Sequence, residues 1–321
     1  MSLSPVRLSV IVPTHETREL TLRCIETLKS EGTTGLQIVV VDDGSSDGTA
    51  EALEAGHSAP HAEIEVLRLA QAVGFTRAAN LGLERARGEI LLLLNSDTEV
   101  EPGTFASLLA AFERDPRLGA AGATLHYPDG SPQWSGGSAP TLLWLFGLAS
   151  GLPPLLARLP GWRRVKPVGA APGRVDWVTG AALALRRRAW EESGPLDEGF
   201  RFYGQDLDLC LKIRDAGWTI AILEDFRVLH HHGATIRQDP GAWGRQHAEL
   251  LWTDLLRWAR RHQGERWARR ASLLLRSGGA LRLLGRTLAS PLVPGEGRSA
   301  WRAESDALRR ALRSIRSVSR E

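Results

Sequence analysis

Val39-Val-Val-Asp-Asp-Gly-Ser-Ser-Asp-Gly-Thr49 is the stretch whose reading decides the fold. The run Ile38–Val41 is β-branched and shows no polar alternation, the pattern of a short strand covered on both faces. It stops at Asp42-Asp43-Gly44-Ser45-Ser46-Asp47-Gly48, a dense cluster of turn formers. A helix then begins, with apolar positions at Ala50 and Leu53. Upstream, Leu8–Val12 repeats the buried-strand pattern up to Pro13, and residues 17–30 carry Leu20, Cys24, Ile25 and Leu28 at helical spacing. Downstream, Ile64–Leu67 reads as a strand, 76–87 as a helix, and Ile90–Leu94 as a buried strand ending at Asn95-Ser96-Asp97. Strand and helix alternate, which predicts an α/β domain built on a mostly parallel sheet with helices on both faces. Such sheets bind ligands beyond the carboxyl ends of their strands. Pro13–Glu16, Asp42–Asp47 and Asn95–Asp97 all fall at those ends, so they predict one site.

Past residue 125 a Gly/Pro-rich stretch runs to about 173. Strand character returns at Val175–Val178, Gly180–Leu185 and Ile220–Leu223, with a helix over Asp206–Ala216. Beyond Pro240 the chain reads as helical, and 302–318 align Ala307, Leu308, Ala311, Leu312, Ile315 and Val318 on one face. The predicted organisation is a catalytic domain over 1–238, with halves 1–125 and 126–238, and a helical extension over 239–321.

Seven segments, in order over residues 8–235, carry a resemblance. They are Ser9–Thr14, Val39–Thr49, Gly74–Gly82, Gly88–Thr98, Gly180-Ala181, Gly204–Leu211 and Val228–Gly233. Together the chain resembles the inverting family 2 glycosyltransferases of the GT-A fold, most closely their bacterial rhamnosyltransferase-like branch. The resemblance implies transfer of a sugar from a nucleotide-diphosphate donor, with dTDP-rhamnose or a UDP-sugar favoured, to a glycan or polyprenyl-linked acceptor.

It also implies roles. Asn95-Ser96-Asp97 stands where the family has its metal-binding Asp-x-Asp, which leaves Asp97 as the carboxylate ligand of a divalent cation, Mg²⁺ or Mn²⁺. Such an ion offsets diphosphate charge. The family's His-x-x-Gly spacing selects His230 as a further ligand, with His232, on the same side of a strand, as the alternative. Asp42 and Asp43 are assigned to the imide N–H of the base, while capping of the following helix is their plain alternative. Pro13, Thr14, Glu16, Asn95 and Ser96 join the nucleotide-sugar site. Arg77 can pair with a diphosphate oxygen. Asp206 matches the general base that takes the acceptor's hydroxyl proton. Asp208 competes with it two residues on, and the acid that precedes the base in the family is Gln205 here.

Composition sets the remaining expectations. Cys24 and Cys210 form no disulfide or metal pattern, and strand character begins close to Met1 without a signal peptide, so the cytoplasm is expected. The formal charge is +3, yet residues 241–321 hold 17 Arg against 7 acidic residues, or +10, leaving −7 for the rest. A basic tail suits an anionic partner. Without zinc-finger spacing or an aromatic RNA-binding signature, nucleic acid is set aside and an anionic membrane surface preferred. Trp243, Trp252, Trp258, Trp267 and Trp301 and the 302–318 stripe fit a tail lying at the inner face of the membrane. On that reading, residues 1–238 suffice for catalysis on a soluble acceptor. The apolar stretch 139–157, broken by prolines and glycines, is expected as an interfacial or acceptor-facing loop with short helices. The competing functional class is a non-catalytic sugar-nucleotide or membrane-surface binding subunit, motivated by amides at Asn95 and Gln205.

Overall fold

A computed structural model describes residues 5–56, 61–152, 169, 171–201, 203–231, 247–292 and 294–318. In chain order it shows β1 (Leu8–Thr14), α1 (Arg18–Ser30), β2 (Leu36–Asp42), α2 (Thr49–Ala55), β3 (Ala62–Arg68), α3 (Phe75–Arg85), β4 (Ile90–Leu94), β5 (Thr98–Val100), α4 (Thr104–Arg114) and β6 (Leu118–His126). There follow β7 (Gly136–Gly137), α5 (Leu142–Ser150), β8 (Gly173–Arg174), β9 (Trp177–Val178), β10 (Ala182–Arg186), α6 (Arg187–Ser193), α7 (Gln205–Asp215), β11 (Thr219–His230), α8 (Ala248–Gln263), α9 (Glu265–Ala289) and α10 (Arg298–Val318). The chain divides into two compact units.

The first unit comprises Met1–Ser138, Val168–Glu198 and Gln205–Thr235. Its sheet runs β3-β2-β1-β4-β10-β6-β11-β5, with β8 against β11. The β3-β2-β1-β4 part is parallel, whereas β10 runs antiparallel between β4 and β6 and β5 antiparallel to β11. Strand alternation sends Val10, Val12, Ile38, Val40 and Leu92 into a core with Cys24, Ile25, Leu28, Phe105 and Leu108 of α1 and α4. Ile11, Leu91 and Leu93 point the other way, toward Ala79 and Leu83 of α3 and Leu209, Cys210 and Ile213 of α7. Two-sided burial is why these strands read as unbroken apolar runs. Gly82 lets α3 sit close on β1: a Cβ there would lie 2.4 Å from Ile11 Cγ2.

Two elements depart from the sequence reading. β6, Leu-Gly-Ala-Ala-Gly-Ala-Thr-Leu-His, is central to the sheet yet carries almost no bulky side chain. A Cβ on Gly122 would lie 2.6 Å from Val178 Cβ, and one on Gly119 2.5 Å from Trp218 Cβ. Neighbours fill the space that β6 side chains leave, so the strand gives little apolar signal. β11 extends to His230, far beyond the expected Ile220–Leu223, because its pairing with β6 resumes past an irregularity between Leu223 and Arg227.

The second unit comprises Ala139–Pro167, Gly199–Gly204 and Ile236–Glu321. Leu145 and Ala149 of α5, Trp252, Leu255 and Leu256 of α8, Ala271 and Leu275 of α9, and Leu308, Ala311 and Ile315 of α10 form its core. Gly278 and Gly279 allow this closeness, since Cβ atoms there would lie 2.9 Å from the Phe146 carbonyl oxygen and 2.4 Å from the Trp252 ring. This corrects the expected tail in two ways. The 302–318 stripe is spent on internal packing, and Trp252 and Trp258 are buried, so neither is offered to a membrane. Trp243 lies outside the described residues. The segments 139–167 and 199–204, expected in the acceptor half, group with the tail instead. Asp254 of α8, itself buried, accepts the backbone N–H groups of Arg201 (3.2 Å) and Tyr203 (3.0 Å).

Packing therefore argues against residues 1–238 folding by themselves. A chain cut there keeps α5 while losing Trp252, Leu255, Leu256, Leu275, Leu308 and Ile315 from its core. Burial of each such side chain is worth about 1.5–3 kcal/mol, against a total stability of about 5–15 kcal/mol. Removal of 239–321 is expected to give an aggregating product by size-exclusion chromatography. A monomeric 1–238 fragment that melts cooperatively would contradict this.

Candidate active site

The parallel register sets Thr14 level with Asp42 at the carboxyl ends of β1 and β2. The buried Thr14 hydroxyl shares hydrogen bonds with those of Thr17 (2.9 Å) and Thr21 (2.6 Å), and Thr17 Oγ1 meets buried Ser96 Oγ at 3.2 Å. A hydroxyl chain thus ties the β1 end to the β4 end, beside Pro13, which is buried. Glu16 has a positive φ of 52° and binds across to the β2 loop. Its Oε1 accepts from Ser46 N–H (2.7 Å) and Ser46 Oγ (2.9 Å), while its own N–H donates to Ser45 Oγ (3.0 Å).

The two aspartates differ. Asp43 spends both carboxylate oxygens on backbone N–H groups, Val73 at 2.6 Å and Gly74 at 2.9 Å, and so anchors the entry to α3. Asp42 accepts Ser45 N–H through Oδ1 at 3.2 Å, and its buried Oδ2 has no hydrogen-bond partner among the described residues. An unspent buried carboxylate oxygen is costly, and it makes Asp42 the member of the pair able to accept a ligand N–H.

At the β4 end, Asn95 N–H donates to the Ala181 carbonyl (3.0 Å), and its buried Oδ1 has no hydrogen-bond partner among the described residues. Antiparallel pairing sets His230 opposite Thr98, which brings its Nε2 to 3.3 Å from Asp97 Oδ1. His230 Nδ1 lies 2.6 Å from Gln133 Oε1, and Gln133 Nε2 donates to the His230 carbonyl at 3.4 Å. A backbone carbonyl can only accept, so the amide orientation follows, and His230 Nδ1–H is the donor to Oε1. Nε2 is the ring nitrogen that faces Asp97. A carboxylate oxygen and an imidazole nitrogen side by side are a donor set that suits a divalent cation. All three side chains are buried. Among the described residues no three His, Cys, Asp or Glu side chains cluster tightly enough to enclose an ion, so donor oxygens would have to complete its coordination. His231 instead pairs with Glu99 at 2.7 Å, and His232 lies outside the described residues. Burial pushes the Cys24 thiol up to about 12, and its Sγ lies 3.8 Å from the Asn95 carbonyl oxygen, so it packs beneath the site without being a nucleophile.

Asp206 opens α7. Its Oδ2 accepts Gly180 N–H (3.0 Å) and its Oδ1 accepts Leu207 N–H (2.8 Å). Burial raises its carboxyl above the ordinary 3.8, and the two backbone donors partly oppose that. Because Ala181 also holds Asn95, the adjoining residues Gly180 and Ala181 connect the base candidate to the metal motif. Asp208, the competing carboxylate, is fully buried and paired with Lys212 at 3.0 Å, so its charge is already engaged. The buried Gln205 Oε1 has no hydrogen-bond partner among the described residues.

Arg77 is half-exposed and pairs with Glu198 at 3.1 Å. Asn80 Nδ2 donates to Glu198 Oε1 (3.1 Å) and to the Leu196 carbonyl (3.0 Å). The Asn80 bond, then Arg77, holds Glu198 below the usual carboxylate range. Gln133 and Glu198 were not foreseen: each acts through a partner remote in sequence, and neither sits in a distinctive local pattern.

The chain is similar in sequence and in fold to known glycosyltransferases. The model of the family described as Glycosyl transferase family 2 matches residues 9–166. The N-acetylglucosaminyl-diphospho-decaprenol L-rhamnosyltransferase of Mycobacterium tuberculosis is 29% identical over 261 residues, covering 75% of this chain and 82% of that protein. The O-antigen biosynthesis protein RfbC of Myxococcus xanthus is 30% identical over 167 residues, which span 50% of this chain and 12% of RfbC. Among solved structures, the mannosyltransferase PcManGT of Pyrobaculum calidifontis, in complex with GDP-Man and Mn²⁺, superimposes with a TM-score of 0.58 at 16% identity over 99% of this chain and 89% of its own. S. aureus TarS 1–349 with UDP-GlcNAc gives 0.51 at 17% identity, covering 98% and 90%. The mixed sheet and its flanking helices are those of the GT-A fold, and the C-terminal helices are an addition to it.

Proposed function

We infer from the glycosyl transferase family 2 match over residues 9–166 that this chain is a member of that family, and propose that it transfers a sugar, with inversion, from a nucleotide-diphosphate donor to a hydroxyl of a glycan or polyprenyl-linked acceptor in cell-surface polysaccharide synthesis. dTDP-rhamnose is the favoured donor and a UDP-sugar the next. Such a protein would work at the inner face of the cell membrane. The observation that carries this reading is convergence: Asp42 ends β2, the Asp97–His230 pair joins the loop after β4 to the end of β11, and Asp206 at the start of α7 is tied through Gly180 and Ala181 to Asn95.

The residues divide the work. Asp42 accepts a base N–H, as its unspent oxygen allows. Asp43, Glu16 and the Thr14–Thr17–Ser96 chain hold the loops around the donor. Asp97 and His230, oriented by Gln133, fit a divalent cation, which would supply positive charge against the leaving diphosphate. Arg77 keeps guanidinium donors beyond its contact with Glu198 for a phosphate oxygen. Asp206 takes the acceptor proton as the new bond forms. One observation favours the second reading, a non-catalytic binding subunit: Asn95 and Gln205 stand where the family has acids, and each leaves a carbonyl oxygen without a hydrogen-bond partner among the described residues. Multiple turnover would exclude it.

A thermal-shift panel of dTDP-rhamnose, UDP-sugars and GDP-mannose, each with Mg²⁺ or Mn²⁺, tests the donor. A ligand at 100 times its Kd stabilises by about 2.7 kcal/mol, well within reach of the method. The expected result is a shift with dTDP-rhamnose larger than with GDP-mannose. Equal, metal-independent shifts for all would sink the donor assignment.

A further inference from the structure

α9 turns one side into its own unit's core and leaves the other bare. Ala271, Leu275, Gly278 and Gly279 are buried, while Leu273, Leu281, Leu284 and Leu288 are 64%, 47%, 57% and 71% exposed. At 3.6 residues per turn the four leucines fall within about 80° of arc, so they form one apolar face. Arg266 and Arg270 extend the same face toward the helix N-terminus, Arg269 flanks it, and all three are exposed. Single exposed leucines are ordinary, but a row of them on one helix marks a contact surface. Arg269 also reaches Glu265 at 3.3 Å in an exposed pair, while Arg282 and Arg286, on the other side of the helix, pair with Glu304 at 3.8 and 2.9 Å.

We propose that this outer face of α9 is a docking surface for a bilayer rich in anionic phospholipid. Leucines would enter the headgroup boundary while Arg266, Arg269 and Arg270 meet phosphate, the division of labour of an interfacial helix. Charge complementarity chooses lipid over a second copy: residues 241–321 carry the +10 balance, and a symmetric contact between two such faces would set arginine against arginine, whereas phospholipid phosphate offsets that charge. No helix among the described residues is long and apolar enough to cross a membrane. The biological use of this surface rests on the lipid-linked acceptor proposed above. The face itself is independent of it and differs from the 302–318 stripe, which is buried.

The test is flotation of the full chain with phosphatidylglycerol/phosphatidylcholine vesicles and with phosphatidylcholine alone. Expected is binding to the anionic vesicles that falls steeply between 0.05 and about 0.5 M salt, as screening shortens the reach of the arginines. Leu284→Glu/Leu288→Glu, at the two positions 57% and 71% exposed, should weaken it at least about tenfold with an unchanged melting temperature. Arg266→Glu/Arg270→Glu should weaken it and flatten its salt dependence. Both variants should keep wild-type turnover on a short, water-soluble acceptor, so failure of the membrane surface and failure of the transferase reading are separate results. Binding unaffected by the leucine variants, or equal on neutral vesicles, overturns the proposal. So does a dimer by sedimentation velocity that those variants split while vesicles bind neither form, since the face would then join two copies.

Discussion

Asp206→Asn is expected to lower turnover by about 10²–10⁴, the range that positioned base catalysis supplies, with donor affinity near that of the wild type. In the proposed scheme the base acts on the acceptor proton, while Asp42 and the Asp97–His230 pair, at other strand ends, would hold the donor. The amide still accepts a backbone N–H from Gly180 or Leu207, so the loop geometry is largely kept. Asp208→Asn is the matched control: it breaks the buried pair with Lys212 and should cost stability more than the chemical step. Steady-state kinetics and donor titration on the same preparations decide the matter. Retention of more than about a tenth of wild-type turnover by Asp206→Asn would move the base elsewhere.

The same carboxyl predicts a pH signature. Burial raises its folded-state value above 3.8, so the folded protein binds a proton there that the unfolded chain has released. Stability from this group is therefore lost as pH rises from the ordinary value through the raised one. Activity moves the opposite way, because only the carboxylate can take a proton. The acid limb of the kcat profile should lie above the ordinary carboxylate range. Relative to Asp206→Asn, the wild type should lose melting temperature across that same window. A kcat profile flat down to pH 4 would argue that Asp206 does not titrate during turnover.

How much of this was legible in the sequence follows from what each residue acts upon. β1, β2 and β4 are apolar on both faces, so the parallel core announced itself, and the polar residues ending each strand marked the site. Asp42, Asp97, His230 and Asp206 were singled out by matching the motifs of the resembled family, at strand ends or a helix start where such chemistry is done, and their roles stand as proposals. Gln133 and Glu198 were missed because their importance lies in contacts 97 and 121 residues distant, with His230 and Arg77. β6 was missed because alanine and glycine carry the strand while Val178 and Trp218 fill its space. The tail misled for a different reason. An amphipathic stripe reports burial but not what buries it, and α8 and α9 bury Leu308, Ala311 and Ile315 of the α10 stripe.

The Asp97 site gives the last expectation. Asp97→Ala should abolish both metal-enhanced donor binding and measurable transfer, because it removes the site's carboxylate charge and leaves His230 facing nothing. His230→Ala should weaken both less, since an imidazole brings a lone pair without charge. Gln133→Leu is the informative third variant. Gln133 touches no donor in this scheme; it fixes the His230 tautomer through the 2.6 Å contact at Nδ1. Loss of such an orienting partner typically costs about 10–100-fold in metal affinity. Its defect should therefore be recovered at high Mn²⁺, whereas that of Asp97→Ala should not. A merely structural role for Gln133 would lower the melting temperature without moving the metal dependence. The whole assignment to Asp97 and His230 falls if chelator-treated wild type works at full rate, or if Gln133→Leu and Asp97→Ala respond identically to added metal.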